Sequence, residues 1–287
     1  MTQEQRVAIE PDPAPGPVFI QFGPRPEERT RLVRPGARER YPADVRARLE
    51  TDAAEIIGRY PQPRSALLPL LHLVQSEDGY ITPAGVEFCA DRLGLTGAEV
   101  GAVATFYSMY RREPTGDYLV GVCTNTLCAI MGGDEILEAL EGHLGLRTAA
   151  AGTAEDAAGD ATEAGTITLA HLECNAACDF APVVMVNWEF FDHQTPDSAR
   201  ALVDDLRAGR PVTPTRGAPL CTFRQTARIL AGFPDERPGA LAAGGSAGTA
   251  SLAGLRIARE RGMRAPAPEP DQSSDPGPVA GPRSEGG

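Results

Sequence analysis

From Tyr41 to Tyr110 the apolar positions recur at helical spacing. Val45, Leu49, Ile56 and Ile57 mark a first helix, and Ser65 precedes ALLPLLHLV, whose Pro69 falls in the first turn or so, where a missing N–H costs least. Gly79 stops that helix. Thr82 then caps a helix with Pro83 at its first position, and Thr96 with Glu99 forms an S/T-x-x-E capping box ahead of VGAVATFYSMY. The pattern predicts a small bundle over residues 41–112, with Phe106, Tyr107 and Tyr110 packing in a core or between domains, and with His72 and Cys89 as ordinary residues of a helix face.

After Tyr110 the period changes. YLVGVC (118–123) and TITLAHLEC (166–174) read as strands, DEILEALEGHLGL (134–146) as an amphipathic helix, and PVVMVN with EFF (182–191) as a hairpin. Thr195-Pro196 opens a helix that closes at Gly209. This α/β layer, 113–210, has thioredoxin-like size, so the expected class is α+β: helical bundle, then α/β domain. Three stretches fall outside it. Residues 1–40 mix Pro, Arg and Glu without an apolar period and read as a flexible arm, in which only VFIQFG (18–23) offers a strand or docking peptide. Residues 148–165 (TAAAGTAEDAAGDATEAG) read as a low-complexity surface loop. Residues 211–287 read as an extension, with a possible short helix over 221–233, and a disordered tail from Pro234 in which ASLAGLRIARERG is transiently helical.

Composition narrows the partners. The chain has 287 residues, with 31 glycines and 26 prolines in keeping with such segments, and carries a formal charge of −12. Nucleic acid is therefore not an expected partner, because neutralising phosphates takes clustered Lys and Arg. No window approaches the roughly 20 apolar residues of a membrane span, and MTQEQRVAIEPDP has neither a basic nor an apolar leader region. A cytoplasmic chain without direct membrane insertion is expected.

Six cysteines are too sparse for a secreted disulfide scaffold, and four of them come in close pairs, Cys123-x4-Cys128 and Cys174-x3-Cys178. Each pair follows a predicted strand, where rigid elements can hold metal ligands. Structural zinc usually takes C-x2-C knuckles, which neither pair supplies. The plant-type ferredoxin spacing C-x4-C-x2-C is also unmet, and a Rieske centre would need a histidine partner for His171. All-thiolate pairs at wider spacing favour a 2Fe-2S cluster over zinc or over free thiols. Such a cluster on four thiolates carries a net charge of two minus, becoming three minus on reduction, and needs donors aimed at its sulfurs. The Thr124–Leu127 loop and the Asn175-Ala176-Ala177 loop offer backbone N–H groups. Cys89 and Cys221 have no matching partners.

The motifs LLPLLHLVQSEDGYIT, VGAVATFYSMY, VGVCTNTLCAIMGGDEILEALEGHLGL and LECNAACDFAPVVMVN, in that order, resemble the small 2Fe-2S subunit, the E subunit, of respiratory NADH:quinone oxidoreductase (complex I). The resemblance spans about Tyr41 to Gly209. It implies a helical bundle followed by a thioredoxin-like ferredoxin domain, with Cys123, Cys128, Cys174 and Cys178 as the ligands of one 2Fe-2S cluster. It implies a one-electron carrier, catalytic only within the complex. Its neighbours there would be a flavoprotein subunit binding NADH and FMN and a larger iron–sulfur subunit, on the cytoplasmic side of the inner membrane. Relative to that family Ala176 stands where glycine is common, 148–165 replaces a tighter turn, and the C-terminal tail is extra. Two alternatives stay open: the equivalent diaphorase subunit of an NAD-reducing hydrogenase or NAD-linked formate dehydrogenase, and a zinc-stabilised interaction module.

Overall fold

The computed structural model describes residues 36–146, 148, 166–240 and 252–264. VFIQFG and nearly all of the 148–165 stretch lie outside them. Four helices come first: α1 Ala43–Ile57, α2 Leu67–Asp78, α3 Pro83–Leu93 and α4 Gly97–Phe106. Their limits follow from the residues that set them. α2 ends at Gly79, whose φ of 81° is left-handed. α3 starts where the Gly85 N–H donates to Thr82 Oγ1 at 3.1 Å. At α4 the Thr96 and Glu99 side chains each accept from the other's backbone N–H. Leu49, Ile56, Leu70, Leu71, Val74, Phe88 and Val100 close a common core, each large side chain contributing roughly 1.5–3 kcal/mol by burial.

Two expectations change here. Tyr110 is buried and donates to the Leu68 carbonyl at 2.9 Å, but Phe106 is 79% exposed and Tyr107 half so. α4 is apolar nearly all round, so its pattern does not say which side is covered. The end of the expected flexible arm is also tied down: Arg38 pairs with Asp78 at 3.1 Å and its carbonyl accepts from the Ala84 N–H at 3.0 Å.

His72 lies inside the bundle, its ring 4.8 Å from that of Tyr110 and its Nδ1 without a hydrogen-bond partner. Burial lowers its pKa from 6.5 to about 4. Because the folded chain holds the neutral ring while the unfolded chain takes up a proton at its ordinary pKa, this stability is present above pH 6.5 and is lost as pH falls towards about 4. At most about 3 kcal/mol is involved. Urea unfolding of wild type and His72→Gln across that window should show the variant losing less stability on acidification.

Among the described residues four strands form one mixed sheet in the order β2-β1-β3-β4. β1 (Tyr118–Cys123) runs parallel to β2 (Ile167–Leu172), with Tyr118 opposite Ile167 and Cys123 opposite Leu172. β3 (Val184–Val186) pairs antiparallel with β1 and with β4 (Glu189–Phe191). Between β1 and β2 lie α5 (Thr126–Ile130) and α6 (Gly133–Leu144), and α7 (Pro196–Arg207) follows β4. The class is α+β with a thioredoxin-like layer, as the pattern predicts.

Period-two alternation sorts the faces. Val120, Val122, Ile167, Leu169, Val184 and Val186 meet Ile136 and Leu140 of α6 and Leu202, Val203 and Leu206 of α7. The opposite face presents Leu119, Ala170, Met185, Leu172 and Cys123. β1 thus delivers Cys123 away from the helix-covered core.

After Pro211 the described helices fall where the sequence offers them, within 221–233 and within ASLAGLRIARERG. α8 (Phe223–Leu230) opens on a Thr222/Gln225 capping box, and α9 spans Ala253–Glu260. Buried Phe223 packs on Leu119 and Ala170, while Arg224 donates to the carbonyls of Glu77 and, at 3.0 Å, Asp78. Arg228 pairs with Asp52 at 2.7 Å. α8 therefore ties the bundle to the sheet. Asn187, in the β3–β4 turn at φ 48°, completes the tie: its Nδ2 donates to the carbonyls of Asp117 and Cys221, both at 2.8 Å, and its Oδ1 accepts from the Leu119 N–H at 2.8 Å.

Candidate iron–sulfur site

The parallel pair β1–β2 ends with both strands pointing the same way, so the residues just beyond them are neighbours. Cys123 is the last residue of β1, and Cys174 lies two residues past the end of β2. Cys128 sits on α5, one helical turn that faces it inward while Leu127, Ile130 and, just beyond it, Met131 face out. Cys178 begins the 3-10 turn Cys178–Phe180. The inner thiols, Cys123 and Cys128, are buried, and the outer two are exposed.

Cys174 Sγ and Cys178 Sγ lie 3.9 Å apart. Cys123 and Cys128 lie in one buried cluster. Each of Cys128 and Cys178 is raised in part by thiols of the other pair. Among the described residues no three His, Cys, Asp or Glu side chains converge on a single-ion position. The sulfurs come as pairs.

Backbone groups address two of them. The Ala176 N–H donates to Cys174 Sγ at 3.4 Å, in a loop where Ala176 holds φ 54°, a conformation that favours glycine. Val183 serves both inner cysteines: its backbone lowers the pKa of Cys128, and its carbonyl accepts from the Cys123 N–H at 3.1 Å. The Thr124–Leu127 segment leads into the first turn of α5, whose leading N–H groups have no acceptor within the helix, and Asn125 Nδ2 reaches Glu173 at 3.3 Å. Burial, then the neighbouring thiols, pushes Cys128 up to about 11 against the lowering effect of Val183. Cys178 is raised by its hydrogen bond to Cys174 and by that thiol's charge. Crowded thiols resist ionising together, and a cationic metal centre supplies the compensating charge while releasing their protons.

Two contributors escaped sequence reasoning. Gly133, at the start of α6, would place a Cβ 2.5 Å from the Cys123 carbonyl oxygen and 2.9 Å from that of Cys128, so the backbone around this pair closes only over a glycine. The signal was there in the Gly132-Gly133 doublet. Phe180, two residues beyond Cys178, packs on the apolar patch that contains Cys123, Cys128 and Leu172.

The two remaining thiols lie apart from this chemistry. Cys89 is buried in the bundle and pushed up to about 12 by burial, the mark of an inert thiol. Cys221 Sγ lies 3.3 Å from Thr226 Oγ1 at the start of α8. Cys89→Ser and Cys221→Ser should leave the visible absorption of the loaded protein unchanged, whereas bleaching by Cys221→Ser would contradict the ligand set.

A family model described as thioredoxin-like 2Fe-2S ferredoxin matches residues 53–207, and the chain belongs to that family. It is 64% identical over 250 residues, 87% of this chain and 94% of the relative, to the E subunit of NADH-quinone oxidoreductase from Mycobacterium tuberculosis strain H37Rv. It is 35% identical over 158 residues, 54% of this chain and 89% of the relative, to the corresponding E subunit from Rickettsia conorii. A stretch of 250 residues in 287 takes in residues 211–240, so this part of the C-terminal extension lies within the match to the mycobacterial protein, whereas the match to the Rickettsia protein covers only 54% of the chain. The air-oxidized crystal structure of an NAD+-reducing NiFe hydrogenase matches at 18% identity and a TM-score of 0.43, over 50% of this chain and 23% of that one. Among the described residues no helix is long and apolar enough to cross a membrane.

Proposed function

We propose that the chain is the one-electron carrier subunit of an NADH:quinone oxidoreductase, holding one 2Fe-2S cluster on Cys123, Cys128, Cys174 and Cys178. The observation that carries the cluster assignment is the placement of two thiol pairs at and just beyond the same ends of two parallel strands. The host follows from the likeness to the mycobacterial E subunit over nearly the whole of that relative. The donor set fits: four thiols in two pairs match a group in which each iron takes two protein thiolates. When bound, that group supplies reversible one-electron chemistry.

The protein's part is placement. Cys123 and Cys128 root the site in the sheet and α5, while Cys174 and Cys178, exposed, put its outer edge where a partner can approach. The Val183 backbone and the Ala176 N–H stabilise negative sulfur. That partner is a flavoprotein subunit carrying FMN and oxidising NADH, with a larger iron–sulfur subunit beyond it, on the cytoplasmic face of the inner membrane. The bundle (41–112), the cluster domain (113–210) and the extension (211–287) are the three units of the chain in this reading.

Isolation of the native complex through a tag on this chain tests the host. Copurification with an FMN-containing, NADH-oxidising subunit and quinone-reducing membrane subunits is expected. Recovery with nickel- or molybdenum-bearing subunits would move the carrier to a hydrogenase or formate dehydrogenase. One zinc per chain without iron would replace it by the interaction module.

A further inference from the structure

The loop bearing Cys174 and Cys178 lies at the surface, and Phe180 just beyond it is partly buried. Its ring packs against the apolar cluster that includes Cys123, Cys128, Leu172, Ala177 and Ala181, and its carbonyl accepts from the His193 N–H at 2.9 Å. The Arg216 guanidinium covers the ring as well, 4.8 Å from its centroid and 3.9 Å from that of Phe190. Arg216 is held in turn by a bidentate pair with buried Asp192, Nε to Oδ2 at 3.0 Å and Nη2 to Oδ1 at 3.2 Å. Thr215 fastens this segment beside β4, its N–H donating to the Phe190 carbonyl at 2.9 Å and its hydroxyl to Asp192 Oδ2 at 2.9 Å.

We infer that Arg216 is a positioning residue for the iron–sulfur site: by stacking on Phe180, which packs against the cluster that includes Cys123 and Cys128, it holds Cys178 in register with the other three thiols. The inference rests on the cluster reading above and extends it to a residue outside the 53–207 span of the family match. Asp192 neutralises the guanidinium, so Arg216 adds little net field at the site. Its contribution is shape. A planar fork that pairs with a carboxylate at its edge while stacking two rings on its face is a geometry lysine cannot reproduce.

The test compares full-length wild type, Arg216→Lys, Arg216→Gln and Asp192→Asn after anaerobic cluster reconstitution. Three quantities are followed: the rate of iron loss to a chelator, the EPR signal after reduction, and thermal unfolding by circular dichroism. All three variants should lose iron about tenfold faster or more, in line with outer-sphere partners of metal ligands, with an altered EPR line shape and unfolding close to wild type. Wild-type iron retention and line shape in Arg216→Lys would overturn the inference, because charge alone would then suffice. So would iron loss that only follows a matching fall in thermal stability, or three variants indistinguishable from wild type. A wild-type chain that takes up no cluster overturns the underlying reading and this inference with it.

Discussion

Cys178→Ser is expected to strip the protein of its 2Fe-2S signal while leaving it folded. Cys178 is exposed and starts a single 3-10 turn, so exchanging sulfur for oxygen there disturbs no core; surface changes of this kind stay within about 0.5 kcal/mol. The loss at the site is of another order. Removing one of four thiolates leaves one iron with a single protein ligand, and metal affinity depends on the complete, deprotonated set. Anaerobic reconstitution should give a colourless or severely distorted product with wild-type circular dichroism. Cys123→Ser should do the same, with an added stability cost because that position is buried. A normal reduced spectrum in Cys178→Ser would remove it from the ligand set.

The second large effect is expected from Gly133→Ala, and two opposing contributions decide its sign. Alanine in a helix is favoured over glycine by up to about 1 kcal/mol, which predicts stabilisation at the start of α6. The added Cβ, however, meets the Cys123 and Cys128 carbonyl oxygens well inside contact distance, and both are backbone atoms that cannot swing aside. Overpacking of this kind costs about 1–3 kcal/mol, so the net change is destabilising and is aimed at the two buried cysteines. Reconstituted Gly133→Ala should hold less iron and unfold at lower urea than wild type. Gly142→Ala, in the same helix with open space around its Cβ, is the control and should be neutral or stabilising. Equal behaviour of the two variants would refute the close approach.

Much of this architecture was legible in the residues. The change from helical to alternating period after Tyr110 located the sheet, and caps at Thr82, Thr96 and Thr195 located helix starts, because those signals are local. The four candidate ligands could be picked out because cysteine is sparse and paired spacing is chemically restrictive. Long-range features were not legible. The roles of Val183, Gly133 and Asn187 depend on which backbone atoms approach them, and no local pattern encodes that. The extension over 211–240 is rich in proline and glycine and has no core of its own; Phe223 and Arg224 order it by borrowing the sheet and the end of α2. Phe106 failed for the opposite reason, since an apolar helix end reads as core whether or not anything covers it.

The most direct measurement is anaerobic reconstitution of the full-length chain, followed by iron and sulfide analysis and EPR after dithionite. The expected result is two irons and two labile sulfides per chain, as the name of the cluster states, and a one-electron signal that appears on reduction and disappears on reoxidation. An iron-free, EPR-silent protein, or one that binds a single zinc in place of iron, would contradict it.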